Sequence, residues 1–143
     1  MRARIAVLAD AANVSREGKL NILGQFEVIW AATLPVTCPL MHLVLSLEAT
    51  SGEGVRHKVG VRVIDEDGKI AGPVVDAEGD FVAPRVPGLP PRVNLILVIA
   101  GARFEKHGTY TFEILVDGHN VESLYLHVLP PPQPPQPGLP AGA

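Results

Sequence analysis

The sequence has little cysteine, few aromatic residues and no excess of positive charge. Cys38 is the single cysteine among 143 residues, so the chain cannot form an internal disulfide, and nothing indicates an oxidising compartment. One tryptophan, two tyrosines and four phenylalanines accompany a net charge of −3. Because nucleic-acid binding depends on a basic surface and stacking aromatic residues, we expect no nucleic-acid partner.

Long hydrophobic runs are also absent. The opening segment resembles a signal peptide, with Arg2 and Arg4 in front, but its apolar run covers only residues 5–9 before Asp10 interrupts it. A secretory signal needs roughly 7–15 apolar residues, and a membrane helix needs about 18 or more. We therefore interpret the opening as a strand and predict a soluble, cytoplasmic protein with no membrane partner.

Catalytic and metal-binding patterns are missing too. The chain contains no G-x-S-x-G, no G-x-G-x-x-G and no phosphate-binding loop, which are the patterns of common hydrolase and nucleotide sites. None of the five histidines stands at metal-ligand spacing from another histidine or from Cys38. We predict that the protein is not an enzyme and binds no metal or other cofactor.

One acidic segment leaves two interpretations open. Asp76, Glu78 and Asp80 occupy alternate positions, and three carboxylates could converge on a hard cation such as Ca²⁺. However, Asp and Gly are also common turn formers, and the EF-hand pattern is absent. We favour a solvated loop. It belongs to residues 70–91, where the prolines restrict any strand to an edge or an end.

The sequence is rich in a hydrophobic period of two, the pattern of half-buried strands. Residues 95–100 are apolar on both faces, which suits a central strand covered on both sides. Turn signals separate the runs, and Asp67-Gly68 and Asp117-Gly118 tolerate the positive φ of a type I′ hairpin. This spacing predicts seven or eight strands in an antiparallel sandwich or barrel. The predicted core positions are Met41, Leu43, Leu45, Leu47, Ala49, Val59, Val61, Val63, Tyr110, Phe112, Ile114, Val116, Leu124, Leu126 and Val128.

The composition changes sharply after Leu129. Seven of the 14 prolines lie in residues 130–143, a segment that favours an extended polyproline II conformation. We predict one folded domain, residues 1–129, and a proline-rich tail, residues 130–143. Aromatic-lined grooves recognise such segments, and a terminus without a partner is the alternative. The predicted partner-binding residues are Pro131, Pro132, Pro134, Pro135 and Pro137.

The stretch ADAANVSREGKLNILGQFEVIW, residues 9–30, carries the densest set of signals. Its Gly18-Lys19 could belong to a ligand loop before a helix, or to a connection between two strands. Alternate positions from residue 20 to residue 30 are apolar and fall on one strand face, which favours the second interpretation. Gly24 then marks a bulge or a close backbone approach. The same pattern predicts that Trp30 lies in the core.

Two motifs in the chain resemble a family of small bacterial proteins of unknown function. The first is an acidic-small motif followed by GKLN-hydrophobic-LG-x-F, and the second is Gly-x-Tyr followed by Asp-Gly. The resemblance covers most of residues 3–129 and implies a fold but no activity. The signature residues are Asp10, Gly18, Gly24, Phe26, Gly108, Tyr110 and Gly118.

The second motif also resembles the closing hairpin of immunoglobulin-like sandwiches, in which the tyrosine hydroxyl bonds to nearby backbone. We therefore expect an all-β, antiparallel immunoglobulin-like sandwich with an extended proline-rich C-terminal tail.

These expectations favour a non-enzymatic protein-interaction or structural module. Strand edges and an extended tail are two physical routes to association, so the partner would be a protein, including further copies of the chain. The alternative is a small-ligand or carbohydrate-binding sandwich that uses Trp30 and the loops around residues 76–80. That alternative requires an exposed Trp30, whereas the strand pattern predicts a buried one.

Overall fold

Strands are the regular elements of this chain. The structure, a computed structural model, describes residues 1–50, 52–83, 86–134 and 138. These residues contain no helix, and therefore none that is long and apolar enough to cross a membrane. The strands are β1 (Arg2–Val14), β2 (Leu20–Phe26), β3 (Val28–Trp30), β4 (Val36–Glu48), β5 (Arg56–Ile64), β6 (Val75–Asp80), β7 (Arg92–Phe104), β8 (Gly108–Val116) and β9 (His119–Leu129).

The strands form two sheets that enclose the core. A four-stranded sheet has the order β2, β1, β4, β7, and a five-stranded sheet has the order β3, β9, β8, β5, β6. Neighbouring strands are antiparallel except β3 and β9, which run parallel. β2 ends at Phe26 and β3 begins at Val28, so the chain crosses between the sheets at Glu27. The predicted all-β fold is confirmed, and the described residues form nine strands rather than seven or eight.

The period of two determines which side chains are buried. Successive side chains of a strand point to opposite faces of the sheet, and the predicted core positions are buried in the structure, apart from Leu124, which is half-buried against the core. Full burial of an aliphatic or phenylalanine side chain contributes roughly 1.5–3 kcal/mol. The alternating positions of β4, β5, β8 and β9 are therefore the main source of stability.

The position of β7 differs from the expectation. We predicted a central strand covered on both faces, but β7 lies at the edge of the four-stranded sheet, with β4 as its only neighbour within that sheet. Leu97 and Ile99 face the core and are buried, whereas Val98 is 48% exposed. The apolar residues on the second face of β7 are therefore partly open to solvent.

The tip of the β1–β2 hairpin covers part of this outer face. Asn94 Nδ2 donates a hydrogen bond to the Gly18 carbonyl at 3.3 Å, and Leu20 lines a shallow groove together with Ser46. Val44 and Ser46 are buried although they point away from the core. The covered area lies around these two residues, and the outer face beyond it stays open.

The opening stretch is split between two sheets. We expected residues 20–30 to share one strand face, but the crossing at Glu27 interrupts the alternation. Trp30 pairs with Leu129 in β9 and is 54% exposed, so the prediction of a buried Trp30 is wrong. A period of two indicates a common face only while the strand stays in one sheet.

The two Asp-Gly turns also differ from each other. Asp117 and Gly118 have φ angles of +50° and +83°, as the predicted type I′ turn requires. Gly68 has a φ of +79° but Asp67 has no positive φ, so this second turn is not type I′. There the Asp65 carboxylate accepts a hydrogen bond from the Asp67 N–H at 2.9 Å, which stabilises the turn locally.

Asp10 and Gly24 account for the first sequence motif. They lie opposite each other in the β1–β2 ladder, and Gly24 has a φ of +70°. A Cβ at position 24 would lie 2.4 Å from Asp10 Oδ2 and 3.1 Å from Asp10 Cβ. The approach at Gly24 is made by a side chain rather than by backbone, because the Asp10 side chain occupies the space that any residue larger than glycine would need.

We expect Gly24→Ala to lower the free energy of unfolding by about 2–5 kcal/mol, the sum of a left-handed backbone cost and overpacking. Rotation of Asp10 can move its carboxylate away but cannot move its Cβ. Urea unfolding measures the loss. The matched control is Gly18→Ala, where φ is +84° but no atom lies within 4 Å, so only the backbone cost of about 1–2 kcal/mol applies. Equal losses in the two variants would contradict the close packing of Asp10 on Gly24.

Candidate interaction surfaces

The predicted acidic loop is a strand. Asp76, Glu78 and Asp80 lie on β6 and are exposed beside β5. Lys58 Nζ lies 3.1 Å from Asp76 Oδ2, and Arg56 forms ion pairs with Glu78 and Asp80. The loop interpretation is wrong, since each carboxylate belongs to a cross-strand ion pair. The described part of the chain contains no group of three His, Cys, Asp or Glu residues that could hold a metal ion.

His57 and Asp117 come together from distant parts of the chain. His57 Nδ1 lies 2.6 Å from Asp117 Oδ2, and its Nε2 lies 3.2 Å from the Gly54 carbonyl oxygen. The Lys58 N–H donates to the other Asp117 oxygen at 3.0 Å. The hydrogen bond to Asp117 raises the pKa of His57 and lowers the pKa of Asp117.

Both ring nitrogens of His57 are occupied by acceptors, which is the arrangement of a doubly protonated imidazole. A general base needs a free ring nitrogen within reach of a substrate proton. His57 therefore serves as a clamp that joins the β8–β9 turn to the segment before β5. Sequence spacing could not have revealed this pair, because 60 residues separate its members.

The other potential catalytic groups lie apart. His107 Nε2 lies 2.8 Å from the Ala31 carbonyl oxygen, and His127 Nδ1 lies 2.9 Å from Thr109 Oγ1. Burial raises the pKa of the Cys38 thiol, which opposes formation of the reactive thiolate. Among the described residues, none of these groups forms a nucleophile–base pair with Cys38.

The second sequence motif has structural roles. The Tyr110 hydroxyl donates to the Lys106 carbonyl at 2.7 Å, the local backbone contact that we predicted. A Cβ at Gly108 would lie 2.9 Å from Glu66 Oε1, which also accepts a hydrogen bond from the Thr109 N–H at 2.7 Å. Like Gly24, Gly108 leaves space for a carboxylate from another segment.

Phe26, the remaining signature residue of the first motif, lines a groove where the chain crosses between the sheets. The groove has a volume of about 240 Å³ and is also lined by Glu27, Leu8, Tyr125 and His127. Ligand pockets usually measure about 300–1,000 Å³. This groove is therefore too small for most organic ligands.

Trp30 and Tyr125 expose an aromatic surface on the five-stranded sheet. Trp30 is 54% exposed and Tyr125 is 58% exposed. Tyr125 and Leu129 alternate along β9 with the core residues Leu126 and Val128, and Trp30 pairs with Leu129. Both aromatic side chains therefore lie on the outer face of the sheet. Residues 76–80 lie on β6 at the opposite edge, four strand spacings or about 19 Å away. Trp30 and the acidic segment therefore lie at opposite edges of the sheet, and their use in one ligand site stays a prediction.

The proline tail remains a prediction. Pro131, Pro132 and Pro134 are exposed and belong to no regular element. Pro135 and Pro137, the other predicted partner-binding residues, lie outside the described residues.

The middle of β7 is an apolar strand edge, which we call the β7 edge and define as residues 94–100. Its sequence, NLILVIA, has no charged residue and no proline. Within the described chain, these residues form no backbone hydrogen bonds outside the ladder with β4. Leu40, Val98 and Ala100 are exposed on the adjoining outer face. An uncharged edge of this kind is a template for pairing with another strand.

Both ends of the β7 edge are blocked. At one end, Val82 forms a two-hydrogen-bond bridge with Arg92. At the other end, Gly101 has a φ of +68° and, with Pro39, interrupts the ladder to β4. The available edge is therefore limited to about seven residues.

Comparison with known proteins gives a family but no activity. Residues 4–129 match the model of a family described as "Family of unknown function (DUF6941)". No curated protein and no solved structure matches the chain.

We expect the His57–Asp117 clamp to make stability depend on pH in a defined direction. Because the pKa of His57 is raised in the folded state, its stabilising effect is complete below the unfolded value of about 6.5. The effect is lost as the pH rises through the folded pKa. Asp117 affects stability at acidic pH, because its pKa is lowered in the folded state. Its contribution is present above the unfolded value of about 3.9 and declines as the pH falls through the folded pKa.

Unfolding measured from pH 5 to pH 9 tests this expectation. The free energy of unfolding should fall above about pH 6.5, and His57→Gln, which cannot titrate, should flatten the fall. His119→Gln is the matched control and should retain it. NMR titration that placed the pKa of His57 at or below its ordinary value would contradict the clamp.

Proposed function

The chain belongs to the DUF6941 family of unknown function, and we propose that it is a non-enzymatic protein-interaction module that binds an extended segment of another protein along the β7 edge. The observation that carries this proposal is the combination of an unpaired strand edge with exposed apolar side chains on the same strand.

The physical basis is strand addition. Backbone N–H and C=O groups of an edge strand bind an extended segment, and alternate side chains provide specificity. Along the β7 edge, Ile96, Val98 and Ala100 point outward. A partner segment with aliphatic residues at alternate positions would complement them.

The two outer sheet faces support this assignment. On the five-stranded sheet, β5 and its neighbours carry a ladder of ion pairs, including Arg62 and Glu113 at 2.7 Å. A partner on this face would have to remove these charged groups from water, which is unfavourable unless they stay paired. On the four-stranded sheet, the described side chains next to Leu40 and Val98 form no ion pair, and the ion pairs of Glu48 lie at the far end of β4. Contact with a partner there removes apolar surface from water, with His42 as the polar cross-strand neighbour of Val98.

We further propose that the fold is an immunoglobulin-like sandwich. Two facing sheets and the Tyr110 hydroxyl bonded to the Lys106 backbone support this type. Such folds host many unrelated functions, so the fold type does not by itself choose a partner. The saturated hydrogen bonding of His57 and the raised pKa of Cys38 support the non-enzymatic part of the proposal.

Photo-crosslinking in cells tests the proposal. A photoreactive residue placed at Val98 on the β7 edge should crosslink to a partner protein. The matched control is Tyr125, which is similarly exposed but lies on an internal strand of the other sheet. Discrete products from position 98 that are missing from position 125 would support the proposal. Equal products from both positions, or none from position 98, would contradict it.

The proline tail is a second route to the same function. Pro131, Pro132, Pro134, Pro135 and Pro137 would present a preformed polyproline ligand to an aromatic-lined groove. In that case the chain would serve both as a receptor at β7 and as a ligand through its tail.

The exposure of Trp30 and Tyr125 favours one alternative function, the binding of a carbohydrate on the outer face of the five-stranded sheet. Exposed aromatic rings supply flat apolar contact area. Two of them on one sheet face, next to polar Thr109 and Thr111 on β8, would suit a ligand with both apolar and hydroxyl surfaces.

Tryptophan fluorescence tests this alternative, because Trp30 is the single tryptophan. Titration with soluble oligosaccharides such as cellohexaose should shift its emission to shorter wavelength, and Tyr125→Ala should weaken the response about tenfold, as the loss of one stacking ring predicts. Val98→Ala, on the other sheet, is the control and should leave the response unchanged. An unchanged emission spectrum across the oligosaccharides would remove this function.

A further inference from the structure

We propose that the partner of the β7 edge is a second copy of this chain, paired antiparallel to the first about a two-fold axis near Leu97. This inference rests on the proposed function and deepens it. It would join the two four-stranded sheets into one continuous sheet of eight strands.

Symmetry is the first argument. Antiparallel strands related by a two-fold axis present the same residues to each other, so one self-complementary surface is sufficient. With the axis at Leu97, Ile96 of one copy faces Val98 of the second copy, and Asn94 faces Ala100. Outward side chains then meet outward side chains, because positions of equal parity are paired.

Charge is the second argument, and it separates β7 from β6, an edge strand of the other sheet. On β6, Asp76, Glu78 and Asp80 are exposed at alternate positions, so two copies paired there would bring carboxylates together, which is unfavourable. The β7 edge carries no charge over residues 94–100, so these residues do not repel the same residues of a second copy.

Length is the third argument. β3 has only three residues, which offers too few backbone groups for a ladder. β2 has seven residues, but Asn21 and Gln25 are exposed along it and Gly24 bends away from regular strand geometry. The β7 edge is also of seven residues, and its regular, apolar course makes it the better template.

The size of the contact determines its strength. Seven residues span about 24 Å at 3.4 Å each, and a sheet is about 10 Å thick. The strand-to-strand contact therefore covers about 240 Å² on each copy, well below the roughly 800 Å² of a standard interface. We infer a weak, concentration-dependent dimer rather than a permanent one.

Sedimentation equilibrium of the full chain over a wide concentration range tests the inference. The mass should rise from that of one chain towards that of two, and Val98→Lys should weaken association at least about tenfold, because it places a charge in the new ladder. Tyr125→Lys is the matched control, with equal charge at an equally exposed site, and should leave association unchanged. A monomer up to about 1 mM, the weak limit of specific association, or a dimer that Val98→Lys leaves intact, would overturn the inference.

Disulfide crosslinking then checks the register without relying on a destabilising variant. In a Cys38→Ser background, a mixture of Ile96→Cys and Val98→Cys chains should form crosslinked dimers under mild oxidation. Leu40→Cys chains, one strand away from the edge, should not form them. If the mixture crosslinks no better than the Leu40→Cys control, antiparallel pairing of β7 is wrong. A monomeric chain that still crosslinks to another protein through position 98 would overturn self-pairing and leave the proposed function in place.

Discussion

The apolar side chains of β4 and β7 on one sheet pack against those of β5, β8 and β9 on the other, and this dry layer holds the two sheets together. Every strand that contributes to this layer has one register, because a shift by one residue would turn its buried side chains towards water. Turns, crossings and surface features are placed by that register. Binding sites can therefore form only from residues outside this core layer.

The two open sheets around one core have four edge strands in the described residues. These strands differ in length, charge and regularity. β3 is short, β2 is irregular at Gly24, where φ is +70°, and β6 carries three exposed carboxylates, all of which oppose pairing with another strand. β7 is blocked at its ends by Val82 and Gly101 but open between them. The uncharged part of this edge is therefore about seven residues long, between the Val82–Arg92 bridge and the ladder interruption at Gly101.

The ion pairs on the surface and the partly buried His57–Asp117 pair have different roles. The ion pairs of β5, β6 and β8 lie on the outer face of one sheet, where water screens them and each contributes little to stability. His57 and Asp117 instead connect a turn to a distant segment, with the histidine buried and the carboxylate half-exposed. The clamp is a positional restraint on the end of the fold that carries the β8–β9 turn.

The sequence by itself determined the all-β class, the residues of the core and the special character of Gly24. These follow from local rules, since alternation sets the face of a side chain and glycine marks a close approach. Only the tertiary structure decided that β7 is an edge, that Trp30 is exposed and that His57 meets Asp117. Edge and central strands share the same alternation, a crossing at Glu27 changes the sheet without changing the pattern, and a contact across 60 residues has no local signature. The candidate site follows from the first of these, because a strand edge exists only once the order of strands in the sheet is known.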